Sequence, residues 1–167
     1  MPTSVNHHVG LRVADLERSI RFYEEAFGAR LRVQPMAYGP PDAGEIMAGP
    51  ADLEFRVAHV GFDDGVIELF ELAEPYRATA PIPAVSGGII HYAIQVDDVE
   101  AALARVEAAG GKRLWPEMRD ITETKKVMYV TDPDGHVLEL ISLTMDELID
   151  VINETVGAGG PPPGLAT

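Results

Sequence analysis

The sequence predicts an α+β protein in which one βαβββ module is written twice. Two observations carry that prediction. "VNHHVGLRVADLERSIRFYEEAFGARL", from Val5, and "GGIIHYAIQVDDVEAALARVEAAGGKRL", from Gly87, follow the same order: histidine, alternating apolar run, aspartate, amphipathic segment, glycine. Aligning His8 with His91 sets Asp15 on Asp98, Leu16 on Val99, Ile20 on Leu103, Tyr23 on Val106 and Gly28 on Gly111 without a gap. Each copy is then followed by further apolar runs, the last two joined by the tight-turn signals "FDDG" or "DPDG". A sheet carrying a single helix buries only its helix-side face. The opposite face is left to curve round a shared interior, so the paired modules are expected to form an open cup-shaped β-sheet.

The first strand of each copy reads with period two, through Val9, Leu11 and Val13 and through Tyr92, Ile94 and Val96. Asp15 and Asp98 suit helix N-caps, where a carboxylate accepts from orphan backbone N–H groups. The helices place Leu16, Ile20, Tyr23 and Phe27, and Val99, Leu103 and Val106, on single stripes. Gly28 and Gly110 or Gly111 end them. Strands are expected over 31–36, 53–62 and 66–72, and again over 113–117, 126–131 and 137–143. Between them, 35–50 reads as a Gly/Pro-rich insertion that the second copy lacks. "TMDEL" is a capping-box signal, Thr144 to Glu147, for a helix with Met145, Leu148, Ile149, Ile152 and Val156 on one face.

These readings make a single domain over about 1–156: a module at about 5–73, a linker at about 74–86, a module at about 87–143 and a C-terminal helix at about 144–156. The Gly/Pro-rich stretch 157–167 reads as a disordered tail. With 167 residues and a hydrophobic content of 46%, the chain is of ordinary globular composition. Its formal charge of −14 argues against nucleic acid and anionic membranes as partners. There is no cysteine, hence no disulfide and no thiolate metal site. No signal-peptide pattern or membrane-length apolar run is present, and a cytoplasmic protein is expected.

Strand parity sorts the remaining polar residues. Val9, Leu11 and Val13 face the helix together with His7, which leaves His8 on the opposite face with Gly10 and Arg12. Likewise His91 lies with Ala93 and Gln95, Glu68 with Val66, Phe70 and Leu72, and Glu139 with Val137 and Ile141. Two carboxylates therefore project from mid-strand among apolar neighbours. Each needs a cation or a shared proton. His8, Glu68, His91 and Glu139 together form a two-nitrogen, two-oxygen set suited to one divalent transition metal, whether Ni, Co, Zn, Mn or Fe. Any one of these residues alone would read as structural or exposed; the symmetric placement of four gives the metal reading its weight. His7 reads as structural, His136 as exposed after its turn, and His59 as a strand filler or a site-lining residue.

These residues resemble the vicinal oxygen chelate superfamily, which includes glyoxalase I, methylmalonyl-CoA epimerase, extradiol dioxygenases and fosfomycin-resistance proteins. The similarity runs from about Asn6 to Ser142. It implies the glyoxalase/bleomycin resistance/dioxygenase fold, a metal cup and a homodimer. "HVGLRVADLERSIRFY", "VGFDDGVIEL" and "VTDPDGHVLELI" look like segments of glyoxalase I. The strand-four ligand is the discriminating position: Glu68 is similar to the glyoxalase I pattern and is compatible with the epimerases, whereas dioxygenases leave that position without a ligand. Arg12 falls where glyoxalase I holds a glutathione carboxylate, but Leu72 stands where its asparagine is expected. Asp52 is the nearest match to the second catalytic glutamate of the epimerases.

The resemblance implies a lyase or isomerase that removes a proton next to a metal-bound carbonyl, through an enediolate or enolate. Symmetry and resemblance make Glu139 the principal base and Glu68 its partner. The substrate expected is a small molecule with adjacent oxygens, or a thioester. Arg12 and Gln95, at equivalent positions on the inward face, are candidate substrate contacts; Arg12 reads equally as a salt bridge at the rim. Methylmalonyl-CoA epimerase-like racemisation is the alternative to glyoxalase chemistry. An Fe(II) dioxygenase is disfavoured by Glu68, and a non-catalytic binding protein by the paired carboxylates.

Overall fold

The computed structural model describes residues 7–78 and 89–157, apart from the Val156 side chain. The expected tail beyond Gly157, which instead ends the last helix, most of the linker and the residues ahead of His7 lie outside the described residues. The chain divides into two compact units, Met1–Pro81 and Ile82–Thr167.

In the first unit, β1 (Val9–Val13) leads to α1 (Leu16–Phe27), β2 (Arg30–Tyr38), a short α2 (Asp42–Met47), β3 (Phe55–Gly61) and β4 (Val66–Leu72). The strands order as β1-β4-β3-β2, with β1 parallel to β4 and the other pairs antiparallel. The second unit repeats this with β5 (Tyr92–Gln95), α3 (Val99–Ala108), β6 (Lys112–Arg113), β7 (Arg119–Asp120), β8 (Lys126–Thr131) and β9 (Val137–Ile141), and ends on α4 (Met145–Gly157). Its order is β5-β9-β8-β6, with β5 parallel to β9 and β7 pairing onto β8. The duplication read from the residues is thus a duplication of topology.

Local chemistry sets both helices as expected. Asp15 Oδ1 accepts from the Arg18 N–H at 2.8 Å, and Asp98 Oδ1 from the Ala101 N–H at 3.0 Å. Gly28 closes α1 at φ 69°, a left-handed conformation that a side chain would strain. Buried Leu16, Phe22 and Tyr23 of α1 back onto the sheet at Ala58, Val60, Ile67 and Leu69, all buried. In the second unit Val99, Leu103 and Val106 do the same against Met128, Val130, Leu138 and Leu140. The "DPDG" turn is tied by Asp132, whose Oδ1 accepts from the backbone N–H of Asp134 at 2.9 Å and of His136 at 2.8 Å. His136, expected to be exposed, is half-buried there.

Four further expectations change. The segment 35–50 is not simply a loop: β2 runs to Tyr38, with register shifts around Pro35, which has no N–H to give the ladder, and α2 follows. The expected strand over 113–117 is broken into β6 and β7, with Pro116 between them. The capping box at Thr144 forms, Thr144 N–H to Glu147 Oε2 at 2.7 Å and Glu147 N–H to Thr144 Oγ1 at 3.2 Å, but the helix turns a different face inward. Leu148 and Val151 pack on the core of the unit, while Met145, Ile149 and Ile152 are exposed. His7, placed by parity on the apolar face, is instead exposed, with its Nδ1 2.7 Å from Nδ1 of His8.

Each unit also covers one end of the sheet face turned away from its long helix. In the first, Ala43 of α2 joins Leu53, Phe55, Val57 and Leu72, with Tyr38, Phe70 and Tyr76 against them. In the second, Leu148 and Val151 of α4 pack with Val127, Ile141 and Leu143, beside Trp115 and Tyr129. Apolar contact of this kind stabilises by about 25 cal/mol per Å² buried. The uncovered remainder of each face carries the polar residues.

Candidate functional site

On the first unit's open face, β1 and β4 run parallel with Gly10 opposite Glu68. His8 therefore enters just ahead of β1 on the side from which Glu68 projects. Its Nε2 lies 3.3 Å from Glu68 Oε2, and the Glu68 side chain is 20% exposed. The second unit repeats the arrangement. Ala93 faces Glu139 in the parallel pair, and His91 Nε2 is 3.0 Å from Glu139 Oε2, with the Glu139 side chain 18% exposed. Each unit thus brings together the histidine and the glutamate that parity selected.

Each unit adds a third group: His59, which parity left open between strand filler and site-lining residue, and Tyr129, which it did not single out. His59 of β3 stands directly across the antiparallel ladder from Glu68, so both side chains share a face. Its Nε2 is 3.2 Å from Glu68 Oε1, the oxygen that His8 does not meet. The signal was available: the count from the "FDDG" turn pairs residue 59 with 68. Tyr129 of β8 occupies the same rung opposite Glu139 and hydrogen-bonds it. Burial, then the Glu139 charge and that hydrogen bond, push the Tyr129 phenol up to about 12. Tyr129 in turn packs against Trp115, with ring centroids 4.6 Å apart, and Arg119 lies over the Trp115 ring at 4.3 Å.

Arg12 and Gln95 are exposed members of the same strand faces, opposite Phe70 and Ile141 respectively. Asp52 is exposed and accepts a hydrogen bond from the Tyr76 hydroxyl at 2.9 Å. On the other side of β4, Glu71 is buried with Ile67 and Leu69. Arg56 Nη1 meets it at 3.0 Å and Arg77 Nη2 at 3.4 Å, and Arg56 also grips Glu17 of α1. The strand that presents Glu68 on one face is therefore clamped through a charged network on the other.

The donor chemistry fits a divalent cation. Half-buried carboxylates flanked by apolar residues and imidazole nitrogens are a nitrogen–oxygen set for a transition metal, and positive charge there offsets the cost of desolvating them. Among the described residues, no three His, Asp or Glu side chains are gathered into a metal-holding group. In the first unit His8 and His59 approach opposite oxygens of Glu68, so these donors diverge around the carboxylate.

The fold and this donor set define a class: the chain belongs to the glyoxalase/bleomycin resistance protein/dioxygenase superfamily, whose family model matches residues 6–140. Within that class it is 32% identical over 136 residues to a probable lactoylglutathione lyase of Vibrio parahaemolyticus, covering 80% of this chain and 87% of that protein. It is 33% identical over 147 residues to a 2-epi-5-epi-valiolone epimerase of an Actinomyces species, covering 82% and 78%. Among solved structures, a glyoxalase family protein from Bacillus cereus superposes with a TM-score of 0.73 at 17% identity, covering 85% of this chain and 95% of that one. A maize glyoxalase I variant superposes at 0.55 with 28% identity, covering 87% and 48%. A fosfomycin resistance protein of Listeria monocytogenes, solved with Mn(II) and sulfate, superposes at 0.52 with 20% identity, covering 89% and 99%. No helix among the described residues is long and apolar enough to cross a membrane.

Proposed function

We propose that the protein is a divalent-metal-dependent lyase or isomerase of the glyoxalase I type, with His8 and Glu68 of the first unit and His91 and Glu139 of the second as its metal ligands. The observation that carries the reading is the repeated pair: a histidine ahead of the parallel strand, 3.3 or 3.0 Å from a half-buried glutamate on its neighbour. The bound cation supplies Lewis acidity, stabilising negative charge that develops on a substrate oxygen. The protein's own residues supply the proton chemistry. Glu139 takes the proton from the carbon next to the substrate carbonyl, and Glu68 is its symmetry partner. Returning the proton to the adjacent carbon gives a lyase-type isomerisation; returning it to the opposite face of the same carbon gives epimerisation. Arg12 and Gln95 orient polar ends of a small substrate with adjacent oxygens or a thioester. A homodimer and a cytoplasmic setting belong to the same proposal.

The test begins with elemental analysis of purified protein, followed by solvent-deuterium exchange into hemithioacetals and α-branched thioesters. One divalent ion per chain and exchange dependent on it are expected. Protein that takes up no nickel, cobalt, zinc, manganese or iron would refute the reading. An epimerase is the second reading, supported by the 33% identity to the Actinomyces enzyme. Exchange without net isomerisation of hemithioacetals selects it.

A further inference from the structure

We propose that His59 and Tyr129, which face Glu68 and Glu139 across equivalent antiparallel rungs, are positioning residues that each engage the carboxylate so that a fixed oxygen is presented to the metal. The inference rests on the reading of Glu68 and Glu139 as ligands.

Both units place the same three groups in the same order. Strand-start histidine and rung partner flank the glutamate, and their rings meet edge-on: His8 and His59 at 6.2 Å and 74°, His91 and Tyr129 at 5.3 Å and 87°. In the first unit the two carboxylate oxygens are divided, with Oε2 toward His8 and Oε1 toward His59. A carboxylate in this state cannot rotate without breaking a contact, and it offers Oε2 alone on the His8 side. Geometry also separates His59 from the ligand set. Its Nε2 points at Oε1, away from the oxygen shared with His8, so it serves the ion through Glu68.

His59 has no other evident task. Its Nδ1 is buried without a hydrogen-bond partner, a cost that an apolar residue at this rung would avoid. The bond to Glu68 uses the tautomer with the proton on Nε2, leaving Nδ1 a bare lone pair. Tyr129 performs the same task with a hydroxyl, which can donate only one hydrogen bond. The two rungs hold chemically identical carboxylates with different donors, an asymmetry laid over a symmetric frame. Partners that orient a ligand commonly contribute tenfold to a hundredfold in metal affinity.

The experiment is Co(II) binding to the purified full chain, by competition with a chromophoric chelator. His59→Phe and Tyr129→Phe are each expected to weaken binding by about tenfold to a hundredfold with unchanged stoichiometry. His59→Gln, whose amide can still donate, is expected to recover most of the loss. Unchanged affinity in both phenylalanine variants, while Glu68→Gln and Glu139→Gln lose Co(II), overturns the positioning role and leaves the metal reading standing. Failure of the parent to bind, or indifference to Glu68→Gln and Glu139→Gln, overturns both. Nitrogen NMR of the unsubstituted protein loaded with Zn(II) removes any dependence on variant folding. A proton on His59 Nε2 supports the proposal; an Nε2 bonded to zinc makes His59 a ligand and refutes it.

Discussion

Replacing Arg56 with Met tests the clamp behind β4. Arg56 Nη1 lies 3.0 Å from Glu71 Oε2 and 3.1 Å from Glu17 Oε2. At the effective dielectric of a protein surface, a charge pair at that separation is worth about 5 kcal/mol before desolvation and side-chain entropy are subtracted. Arg56 is 41% exposed, so most of that is screened; Glu71, at 11%, is not. Hydrogen bonds to charged groups retain a net ~2 kcal/mol, and Arg77 at 3.4 Å keeps a partial hold on Glu71. Arg56→Met is therefore expected to cost about 2 kcal/mol in urea unfolding, chiefly because it leaves a buried carboxylate short of a partner. Adding Glu71→Gln removes the stranded charge, so the double variant should be more stable than Arg56→Met alone. The arginine also holds the Glu17 carboxyl below the usual range by hydrogen bonding it. That part of the stabilisation is full above the unfolded-state value and is lost as pH falls through the lowered folded one. The deficit of Arg56→Met should shrink in acid accordingly. A double variant as unstable as the sum of its parts, or a single variant within 0.5 kcal/mol of the parent (about the noise of such measurements), would refute this account.

Three further outcomes are expected. Glu139→Gln should slow solvent exchange of the substrate α-proton by at least about a hundredfold, with folding unaffected, measured by NMR, because it removes both the base and a metal ligand; native-rate exchange would exclude both roles. In metal-free protein, the Tyr129 phenolate, identified by difference absorbance against Tyr129→Phe, should appear only near pH 12. Because its folded value is raised, the stability it contributes is full below the unfolded value and lost as pH rises through the folded one; a transition in the ordinary tyrosine range would contradict its burial. Gly44→Ala should destabilise by about 1–3 kcal/mol in thermal unfolding, since a methyl there would lie 2.5 Å from the Pro50 carbonyl oxygen, which is backbone and cannot step aside.

Much of the frame was legible because each rule it needs is local. Asp15 and Asp98 cap, Gly28 ends α1, and period-two runs give β1, β4, β8 and β9 nearly residue for residue. Parity then brought His8 to Glu68 and His91 to Glu139. What escaped depends on partners distant in sequence. α2 lacks a side-chain cap and sits in a Gly/Pro-rich stretch, so only its seat on Leu53, Phe55 and Val57 makes it worth forming. The inward face of α4 is chosen by the sheet it meets: Leu148 packs as expected, but Val151 joins it while Met145, Ile149 and Ile152 turn outward. His59 depends on the β3–β4 register, which only the count across the "FDDG" turn sets; a shift of one residue would send it to the helix side.

The coverings of the two polar faces have unlike origins. One is an internal excursion, α2, which interrupts the first copy between its second and third strands; the other is an appendage, α4, which follows the last strand of the second. Neither belongs to what was copied. The histidine–glutamate pair recurs in both copies, whereas the apolar walls beside it are built from different stretches of the chain. A substitution in α2 or α4 can therefore reshape one wall without touching the histidine–glutamate pair beside it.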